Sequence, residues 1–428
     1  MPYRISGIDV HKRMLAVVVA DVELWGGEWT FERRRFGATP AQLRELADWL
    51  VAQQVEEVVM ESTAQYWKPV WGALERFWRP VAQQRADAAP RAGTLHLAQA
   101  QSNRGRPGRK KDLPDAERLV KRLVAGELVL SFVPDPEQRV WRTLTRTKYQ
   151  LTRNRVQLHN RLEGLLEEAH LKLSSLVSDL LGISARRMLH ALADGATEPA
   201  VVAALADHRL RATPEQLADA LGACAEWHPV YRRLVKMSLT DLELLEQQIR
   251  DVDVALAELL RPHSDPVERL AEVPGLGVDS AQQIIAEVGP TAPTFPSAAQ
   301  LASGVGACPG SEESATVNES PRRPKGNRQM RRVLNQAANA AVKMNGSIFQ
   351  ILYRRYVPRL GHQQTIGVIA HRLCRLIWKI LHQGVRYEER GPTLNARSKR
   401  TRAARMVREL RSLGYRVDAA PVQSGSMA

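Results

Sequence analysis

Close to its N-terminus the chain contains the mainly apolar run Ile5-Ser6-Gly7-Ile8-Asp9-Val10, followed by a second apolar run, Leu15-Ala16-Val17-Val18-Val19-Ala20. Runs of this length predict buried strands. Together the predicted strands are Arg4–Asp9, Leu15–Val22, Trp29–Phe36, Val55–Glu61 and Pro80–Arg85, with helices over Pro40–Gln53 and Trp67–Phe77. Three early strands with short connections, then strands separated by helices, are typical of an RNase H-like mixed sheet. We therefore predict an α/β domain over residues 1–130.

Four carboxylates occupy particular places in this predicted domain. Asp9 lies near the end of the first strand, and Glu61 ends the run Val58-Val59-Met60. Asp112 and Asp115 lie three residues apart where a helix is predicted to begin, so both are on one helix face. Two acids on strands and two on a helix can therefore converge at one end of the sheet.

Carboxylates packed together repel one another unless a cation holds them. Hard divalent ions take oxygen ligands, and two such ions about 3.5–4 Å apart can activate a nucleophile and stabilise the leaving oxygen of a phosphodiester. We expect Mg²⁺, with Mn²⁺ as the alternative. In the competing interpretation Asp9 and Glu61 are polar strand ends, Asp112 caps the helix and Asp115 is its first-turn acid.

Composition limits the class of protein. A chain of 428 residues with 44% hydrophobic residues predicts two or three globular domains. We expect a cytoplasmic protein, because the N-terminus does not resemble a signal peptide and no apolar stretch is long enough to span a bilayer. Three widely spaced cysteines, Cys224, Cys308 and Cys374, suit neither a disulfide framework nor a zinc site, and we interpret them as reduced packing residues.

The chain is strongly basic, with a net charge of +15, which indicates a polyanionic partner. The charge is clustered. One cluster precedes Asp112 and comprises Arg104, Arg106, Arg109, Lys110 and Lys111; a second comprises Arg322, Arg323, Lys325, Arg328, Arg331 and Arg332; a third runs from Arg397 to Arg411. A basic cluster beside a carboxylate site favours DNA as partner. A membrane is not expected, because the basic runs lack a large apolar face.

Residues 131–262 are predicted to form a helical coiled-coil arm or dimerisation region. The first heptad series is Val140, Leu144, Thr147, Leu151, Asn154, Leu158 and Leu165; the second is Leu234, Ser238, Leu245, Ile249, Val252, Leu256 and Leu259. Such spacing is typical of a coiled coil, in which Asn154 would set the register. Ordinary amphipathic helices packed within one monomer would give a similar pattern.

Residues 263–390 are predicted to form a mainly helical C-terminal domain. It begins with Val273-Pro274-Gly275-Leu276-Gly277 and a helix from Ser280 to Val288, the pattern of a helix-hairpin-helix that offers backbone N–H groups, at Gly275 and Gly277, to a phosphate. A polar loop from Gly310 to Asn327 precedes a helix from Arg328 to about Met344. Residues 391–428 are predicted to be a basic, partly disordered tail with a helix at Ala403–Leu413.

In combination these features resemble the DEDD transposases of bacterial insertion sequences, a group that includes the Piv DNA invertases and the bridge-RNA-guided recombinases. The resemblance covers roughly residues 3 to 385. Its motifs are Gly7-Ile8-Asp9-Val10-His11-Lys12, Met60-Glu61-Ser62-Thr63, Gly108-Arg109-Lys110-Lys111-Asp112 with Asp115-Ala116, Val273-Pro274-Gly275-Leu276-Gly277, Gly306-Ala307-Cys308-Pro309-Gly310-Ser311-Glu312-Glu313-Ser314, and Lys325-Gly326-Asn327-Arg328.

The resemblance implies roles for particular residues. Asp9, Glu61, Asp112 and Asp115 match the metal-binding tetrad of a RuvC-like domain, and Ser314 matches the serine nucleophile that attacks DNA. The chain departs from the family pattern in having Ala315-Thr316-Val317 after Ser314, and Gly304 where a Trp is frequent. Ser311 and then Ser320 are the competing serines. The family also implies a structured noncoding guide RNA.

We therefore predict a transposase or site-specific DNA recombinase that acts as a homo-oligomer, either a dimer or a tetramer. The alternatives are a Holliday-junction resolvase or nuclease that uses water, a Piv-type invertase that acts without guide RNA, and a nucleic-acid-binding protein with a vestigial catalytic site. His11 and Lys12, next to Asp9, could contact the scissile phosphate or lie on the surface. Trp67 and Trp71, four apart on a predicted helix, are interpreted as core residues rather than base-stacking platforms.

Overall fold

The structure of the protein is a computed structural model. It describes residues 3–22, 29–61, 64–78, 93–100, 103, 112–308, 313–314, 317–318, 326–389, 404, 406–408, 410–411 and 416–417, with the backbone alone at 313–314 and 317–318. These residues form two compact units, 1–134 and 135–428. The boundaries predicted within the second unit, at residues 262 and 390, stay predictions.

The first unit is built on a six-stranded mixed sheet. Its strands are β1 (Arg4–Val10), β2 (Met14–Asp21), β3 (Phe31–Gly37), β4 (Glu57–Glu61), β5 (Thr94–Ala98) and β6 (Leu130–Ser131), in the sheet order β3-β2-β1-β4-β5-β6. β2 is antiparallel to β1 and to β3, β4 and β5 run parallel to β1, and β6 is antiparallel to β5. The first four strands confirm the predictions to within two residues. The predicted strand Pro80–Arg85 lies outside the described residues, whereas β5 and β6 were not predicted.

Helices cover both faces of this sheet. α1 (Pro40–Ala52) and α2 (Trp67–Phe77) pack on the face that carries Ile8 and Val17. α3 (Asp112–Val124) packs on the opposite face, where Ala116 and Val120 contact Ile5 and Val18. Because successive strand residues point to opposite faces, Gly7 and Asp9 share the α3 face with Ile5. Both helix-borne acids are therefore on the side of the sheet that Asp9 faces.

The two tryptophans of α2 belong to the core, as predicted. Trp71 is buried in the cluster that fills the space between the sheet, α1 and α2, and Trp67 packs against this cluster. Their rings meet edge to face with centroids 6.0 Å apart. Such a pair adds to the stability that burial gives, and both rings take part in core packing.

The second unit is organised around two long helices, α4 (Pro136–Glu168) and α8 (Pro229–Leu259). They pack side by side within the one chain and are antiparallel, because Lys148 pairs with Asp253, Arg155 with Glu246 and Arg161 with Asp241. Between them in sequence lie α5 (Ile183–Ala193), α6 (Pro199–Ala203) and α7 (Pro214–Ala220), which share one hydrophobic core with both long helices.

Three positions of the predicted heptad series of α4, Val140, Thr147 and Asn154, are exposed in the single chain, so the coiled coil stays a prediction. The buried residues of α4 are Gln138, Trp141, Thr145, Leu158, Leu162 and Leu166. These residues form the face of α4 that packs inside its own unit. Along the side that contacts α8, Lys148 and Arg155 form ion pairs with Asp253 and Glu246. In the second series Ser238 and Leu256 are buried as predicted, while Leu259 is exposed.

The remaining helices form a second core in this unit. They are α9 (Ser264–Ala271), α10 (Val278–Val288), α11 (Ala298–Val305), α12 (Arg328–Ala341) and α13 (Ile348–Gln383), and they pack around Trp141 of α4 and Leu256 of α8. α13 is broken at Gly361, whose φ of 71° is left-handed. The predicted helix at Ala403–Leu413 is helical at every residue described within it. Among the described residues, no helix is long and apolar enough to cross a bilayer.

All three cysteines are free thiols, as predicted. Cys224 and Cys374 are buried, and Cys308 is half-buried at the end of the segment that follows α11. Burial raises the pKa of the Cys374 thiol to about 12, and the neighbouring Cys308 contributes to the rise. Burial likewise raises the pKa of Cys224. These two thiols therefore act as small apolar side chains.

Candidate active site

Gly7 allows α3 to lie directly on β1. A Cβ atom at this position would be 2.3 Å from the backbone carbonyl oxygen of Ala116 and 2.9 Å from Val120 Cγ2. Any side chain would therefore push the first turns of α3 away from the strand. Glycine at position 7 thus sets the distance between the acid at the end of β1 and the acids at the start of α3.

Asp9 and Asp112 meet at this junction, with His11 between them. The Nε2 atom of His11 lies 3.2 Å from Asp9 Oδ2 and 3.3 Å from Asp112 Oδ1. One ligand atom from each of the three residues lies within 4.8 Å of the others, a spacing that a single metal ion could span. Asp9 is only 8% exposed, whereas the side chain of His11 is 45% exposed. The group therefore opens toward solvent on the His11 side.

Glu61 and Asp115 are held by two residues that the sequence analysis missed. Asn103 donates from Nδ2 to Glu61 Oε2 over 2.8 Å, and Arg118 pairs with Asp115 Oδ1 over 2.8 Å. Arg118 also donates from Nε to the backbone oxygen of Asn103 over 3.1 Å. Asn103 is 1% exposed, so its amide is a buried part of the site. A single Asn in a polar segment gives no sequence signal, and Arg118 resembles any helix-surface arginine.

The electrostatics of Asp9 show that the four acids influence one another. Burial is the main cause that raises the pKa of the Asp9 carboxyl above its usual 3.8, and the charges of Glu61, Asp115 and Asp112 raise it further, while His11 lowers it. Geometry links the remaining acids to this group: Asp9 and Glu61 follow the paired residues Ile8 and Met60 of adjacent parallel strands, and Asn103 and Arg118 connect Glu61 to Asp115. Among the described residues, only Asp9, His11 and Asp112 lie within the span of one metal ion, with Glu61 and Asp115 at the same end of the sheet.

The competing interpretation, with Asp9 and Glu61 as polar strand ends and with Asp112 and Asp115 as the cap and first-turn acid of a helix, is compatible with part of the same geometry. Asp112 and Asp115 both occupy the first turn of α3, where carboxylates interact favourably with the helix dipole. A role as a polar strand end does not account for Asp9, because a buried carboxylate beside three others is destabilised unless a cation compensates it. The donor set of carboxylate oxygens, open to solvent on one side, fits a hard divalent ion.

The predicted nucleophile, Ser314, lies in the second unit. Its backbone ends the short strand β7 (Glu313–Ser314), which pairs antiparallel with β8 (Val317–Asn318) in the register Ser314↔Val317. The competing serines, Ser311 and Ser320, lie outside the described residues. The role of Ser314 as nucleophile therefore stays a prediction.

Asn327, the last residue of the polar loop that contains Ser314, is held by an ionic network that the sequence did not predict. Asn327 accepts from two backbone N–H groups at the start of α12 and donates from Nδ2 to Glu287 Oε2 over 2.7 Å. Glu287 is 4% exposed, and Arg146 donates to both of its carboxylate oxygens over 3.1 Å. Arg142 donates to the backbone oxygens of Ala286 and Glu287 at the end of α10. Asn327, a residue predicted to bind nucleic acid, thus has a structural role; its binding role stays a prediction.

The predicted nucleic-acid contacts are described only in part. Arg104, Arg106, Arg109, Lys110, Lys111, Arg322, Arg323 and Lys325 lie outside the described residues. Arg328 is exposed at the start of α12. Arg332 instead packs inside the unit, with its guanidinium 3.9 Å from the ring centroid of Tyr149 and a 2.7 Å hydrogen bond to Gln283. Arg332 therefore contributes to helix packing.

The two glycines of the predicted helix-hairpin-helix differ in their surroundings. α9 and α10 pack against each other across the turn that contains them. Gly275 has a φ of 84°, and a Cβ there would lie 2.3 Å from the backbone oxygen of Ala337 in α12. Gly277 caps the start of α10 and has open space around it. Of the two, Gly277 has the surroundings that a phosphate contact would need, and the contact itself stays a prediction.

Two family models and one known protein match this chain. Residues 6–171 match the family model for IS110-type DEDD transposases, described as "Transposase", and residues 267–354 match the model described as "Transposase IS116/IS110/IS902 family". The chain is also similar to the "Insertion element IS110 uncharacterized 43.6 kDa protein" of Streptomyces coelicolor, with 29% identity over 155 residues. That segment is 36% of this chain and spans 38% of the relative's length. The two family matches together cover more than half of the sequence, and the chain belongs to the IS110 family of DEDD transposases.

Proposed function

We propose that this protein is a transposase or site-specific recombinase that cuts and rejoins DNA. The observation that carries the proposal is that Asp9 and Asp112 meet across His11 at one end of the sheet, beside Glu61 and Asp115. Structural carboxylates are normally dispersed or paired with cations, so three further acids beside one buried carboxylate favour a catalytic site. The family matches support DNA as the substrate.

The first unit would be an RNase H-like domain of the RuvC type. Its sheet order, β3-β2-β1-β4-β5 with β2 antiparallel to both neighbours, supports this assignment. In that arrangement β1 and β4 are adjacent and parallel, so their carboxyl ends lie at the same edge of the sheet. Asp9 and Glu61 share an edge for this reason, and α3 brings the other two acids to it.

Mg²⁺ or Mn²⁺ would be held by Asp9, Glu61, Asp112 and Asp115. When bound, the ions would supply activation of the attacking hydroxyl and neutralisation of charge on the phosphate. The protein's own contribution would be to hold the four carboxylates in place, through Gly7 at the β1–α3 contact and through Asn103 and Arg118 beside Glu61 and Asp115. The proposal thus assigns these three residues a supporting role.

Ser314 would be the nucleophile. Its Oγ would attack the phosphorus of a DNA phosphodiester, forming a phosphoserine ester while the bond to one deoxyribose oxygen breaks and that oxygen takes up a proton. The ester preserves the phosphodiester bond energy until a second DNA hydroxyl displaces the serine and rejoins the strands. The network of Glu287, Arg146 and Asn327 supports this assignment, because it holds the last residue of the polar loop that contains Ser314.

Two features of the proposal concern partners. A structured guide RNA would pair with donor and target DNA, and the net charge of +15 is compatible with holding both nucleic acids. The active site would be composite and completed across subunits of a homo-oligomer, with the α4–α8 pair as an element of the assembly. Sedimentation of the full-length protein, alone and with DNA, tests the oligomer, and sequencing of co-purified RNA tests the guide.

The decisive experiment separates a serine mechanism from a water mechanism. Full-length protein is incubated with end-labelled DNA from the flanks of its own reading frame, with Mg²⁺ and co-purified RNA, and is resolved under denaturing conditions. We expect a covalent protein–DNA adduct that Ser314→Ala abolishes and Ser311→Ala, the matched control, retains. Cleavage without adduct that survives Ser314→Ala would instead support a resolvase-like nuclease. Activity without RNA would support a Piv-type invertase.

A second experiment tests whether the site is catalytic. Asp9→Asn removes one negative charge at the centre of the four acids without changing the size of the side chain. We expect the adduct to disappear while DNA retention on a filter persists, because phosphate contacts depend on the basic residues. Retention of DNA by the wild-type protein with no cleavage under any divalent ion would support a binding protein with a vestigial site.

A further inference from the structure

His11 lies at a place where a metal ligand would be expected. It follows β1 by one residue, and its backbone N–H donates to the oxygen of Met14 over 3.0 Å, so the tight turn into β2 fixes its main chain. From this turn the imidazole reaches back over the end of the strand. Its Nε2 atom stands between Asp9 from β1 and Asp112 from α3, which are separated by more than 100 residues of sequence.

The distances from His11 Nε2 to Asp9 Oδ2 and to Asp112 Oδ1 fit three ligands of one metal ion. Neighbouring ligands of an octahedral divalent ion with bonds of about 2.1 Å are separated by about 3 Å. The observed separations are 3.2 Å to Asp9 Oδ2 and 3.3 Å to Asp112 Oδ1. A single N–H on Nε2 can align well with one carboxylate oxygen but not with two oxygens from different elements. A cation contacting all three atoms explains the equal spacing better than one hydrogen bond does.

The alternative for such a histidine is a surface ion pair, and this chain provides an example. His208 has its Nδ1 3.4 Å from Asp207 Oδ1, and its side chain is 82% exposed. These two residues are adjacent in sequence, and no second carboxylate of the described residues lies within ion-pair distance of His208. His11 differs because two acids from separate elements converge on one of its nitrogens, and one of these acids is buried.

We propose that His11 is a nitrogen ligand of one divalent ion in this site, the ion that Asp9 and Asp112 also bind. The inference rests on the metal site of the proposed function and adds a ligand of a different chemical type. Mg²⁺ takes oxygen ligands, whereas imidazole is a better ligand for first-row transition ions. The consequence is a preference for Mn²⁺ over Mg²⁺ that four carboxylates alone would not create.

The test uses full-length protein and metal ions without DNA. Mn²⁺ binding is followed by the loss of the free-ion signal in electron paramagnetic resonance, and Mg²⁺ affinity by competition against bound Mn²⁺. Electron spin-echo modulation then reports whether nitrogen coordinates the bound Mn²⁺. The variant is His11→Gln, whose amide oxygen can reach the place of Nε2, and the matched control is His208→Gln. Circular dichroism verifies that each variant is folded.

We expect the wild-type protein to show nitrogen modulation that His11→Gln loses and His208→Gln keeps. The ratio of Mn²⁺ to Mg²⁺ affinity should fall at least about tenfold in His11→Gln, an effect that even outer partners of a metal site can reach. An unchanged ratio, or Mn²⁺ bound without nitrogen modulation in the wild type, would overturn the inference.

The proposed function can be judged separately in the same experiment. If Asp9→Asn abolishes Mn²⁺ binding while His11→Gln changes nothing, the carboxylate site stands and His11 is not a ligand. If the wild type binds Mn²⁺ no better than Asp9→Asn, the carboxylate site itself is refuted, and the assignment of His11 is refuted with it. The two failures therefore give different patterns across the same three proteins.

Discussion

A Cβ atom on Gly7 would lie 2.3 Å from the carbonyl oxygen of Ala116, so β1 and α3 are in direct backbone contact at this point. Asp9 is two residues further along β1, and Asp112 lies one helical turn before Ala116. The distance between these two carboxylates therefore depends on a position that has no functional group of its own. A change at Gly7 tests whether the geometry of the site, rather than its mere composition, determines metal binding.

We predict that Gly7→Ala weakens metal binding although it leaves all four acids in place. The added methyl group must displace α3, and overpacking of this kind costs about 1–3 kcal/mol of stability. Isothermal calorimetry with Mn²⁺ and urea denaturation measure the two effects. Gly72→Ala is the control, because Gly72 is in α2 with open space around it, and a helical alanine there should be neutral or slightly stabilising. Unchanged metal affinity in Gly7→Ala would show that α3 does not position the acids.

Sequence pattern was sufficient for the parts of the site that lie on regular elements. Asp9 and Glu61 are on strands whose apolar runs are unambiguous, and the i, i+3 spacing of Asp112 and Asp115 is a property of any helix. The pattern could not show why β1 and α3 lie so close together. A glycine in an apolar strand run does not indicate whether another backbone packs against it, and the helix that packs against Gly7 is more than 100 residues later in the sequence.

We predict that the metal-free protein is stabilised by Asp9→Asn at neutral pH. The pKa of the Asp9 carboxyl is raised, chiefly by burial, so its ionised form destabilises the folded state. This penalty is complete above the raised pKa and disappears as the pH falls below the usual value of 3.8. The difference in melting temperature between Asp9→Asn and the wild type should therefore be positive at pH 7 without metal and shrink on acidification.

Addition of metal should make the wild type more stable than Asp9→Asn. Binding to the folded state alone stabilises the wild type by about 2.7 kcal/mol when the free ion is one hundred times its Kd, and Asp9→Asn should gain little. Thermal unfolding with increasing Mn²⁺ measures the stabilisation of the wild type and of Asp9→Asn. An Asp9→Asn protein that is less stable than the wild type in chelator at pH 7 would show that the carboxylate makes favourable contacts that outweigh its burial.

We predict that Glu287 is among the most sensitive positions of the second unit. Glu287→Ala would leave Arg142 and Arg146 without their buried carboxylate, and breaking a buried pair in this way costs about 3–5 kcal/mol. Glu287→Gln, which keeps the acceptor oxygen and the packing, should cost less. Urea denaturation midpoints measure both. Glu258→Ala, an exposed glutamate of α8, is the control and should change stability by no more than about 0.5 kcal/mol.

The Glu287 network also illustrates where sequence interpretation fails. A glutamate at the end of a helix, followed by Gly289, indicates a polar surface position, and nothing nearby in sequence suggests two arginines from α4, about 140 residues earlier. The same limit explains the α4 register, because a 4,3 spacing of apolar residues fits several faces of a helix. Only the packing of α4 in the core with α8 and with α9 to α13 decides that Trp141 is buried and Val140 is exposed.

We predict that the native protein exposes one reactive thiol and conceals two. With a pKa of about 12, the Cys374 thiol is ionised to about one part in ten thousand at pH 8, and burial limits access as well. Cys224 is also buried with a raised pKa. Iodoacetamide at pH 8 should therefore add one group to the native protein, at Cys308, and three groups in denaturant, as counted by mass spectrometry. Cys308→Ser should take up none when native, and rapid native labelling of Cys374 would show that the core of the second unit opens more readily than its packing indicates.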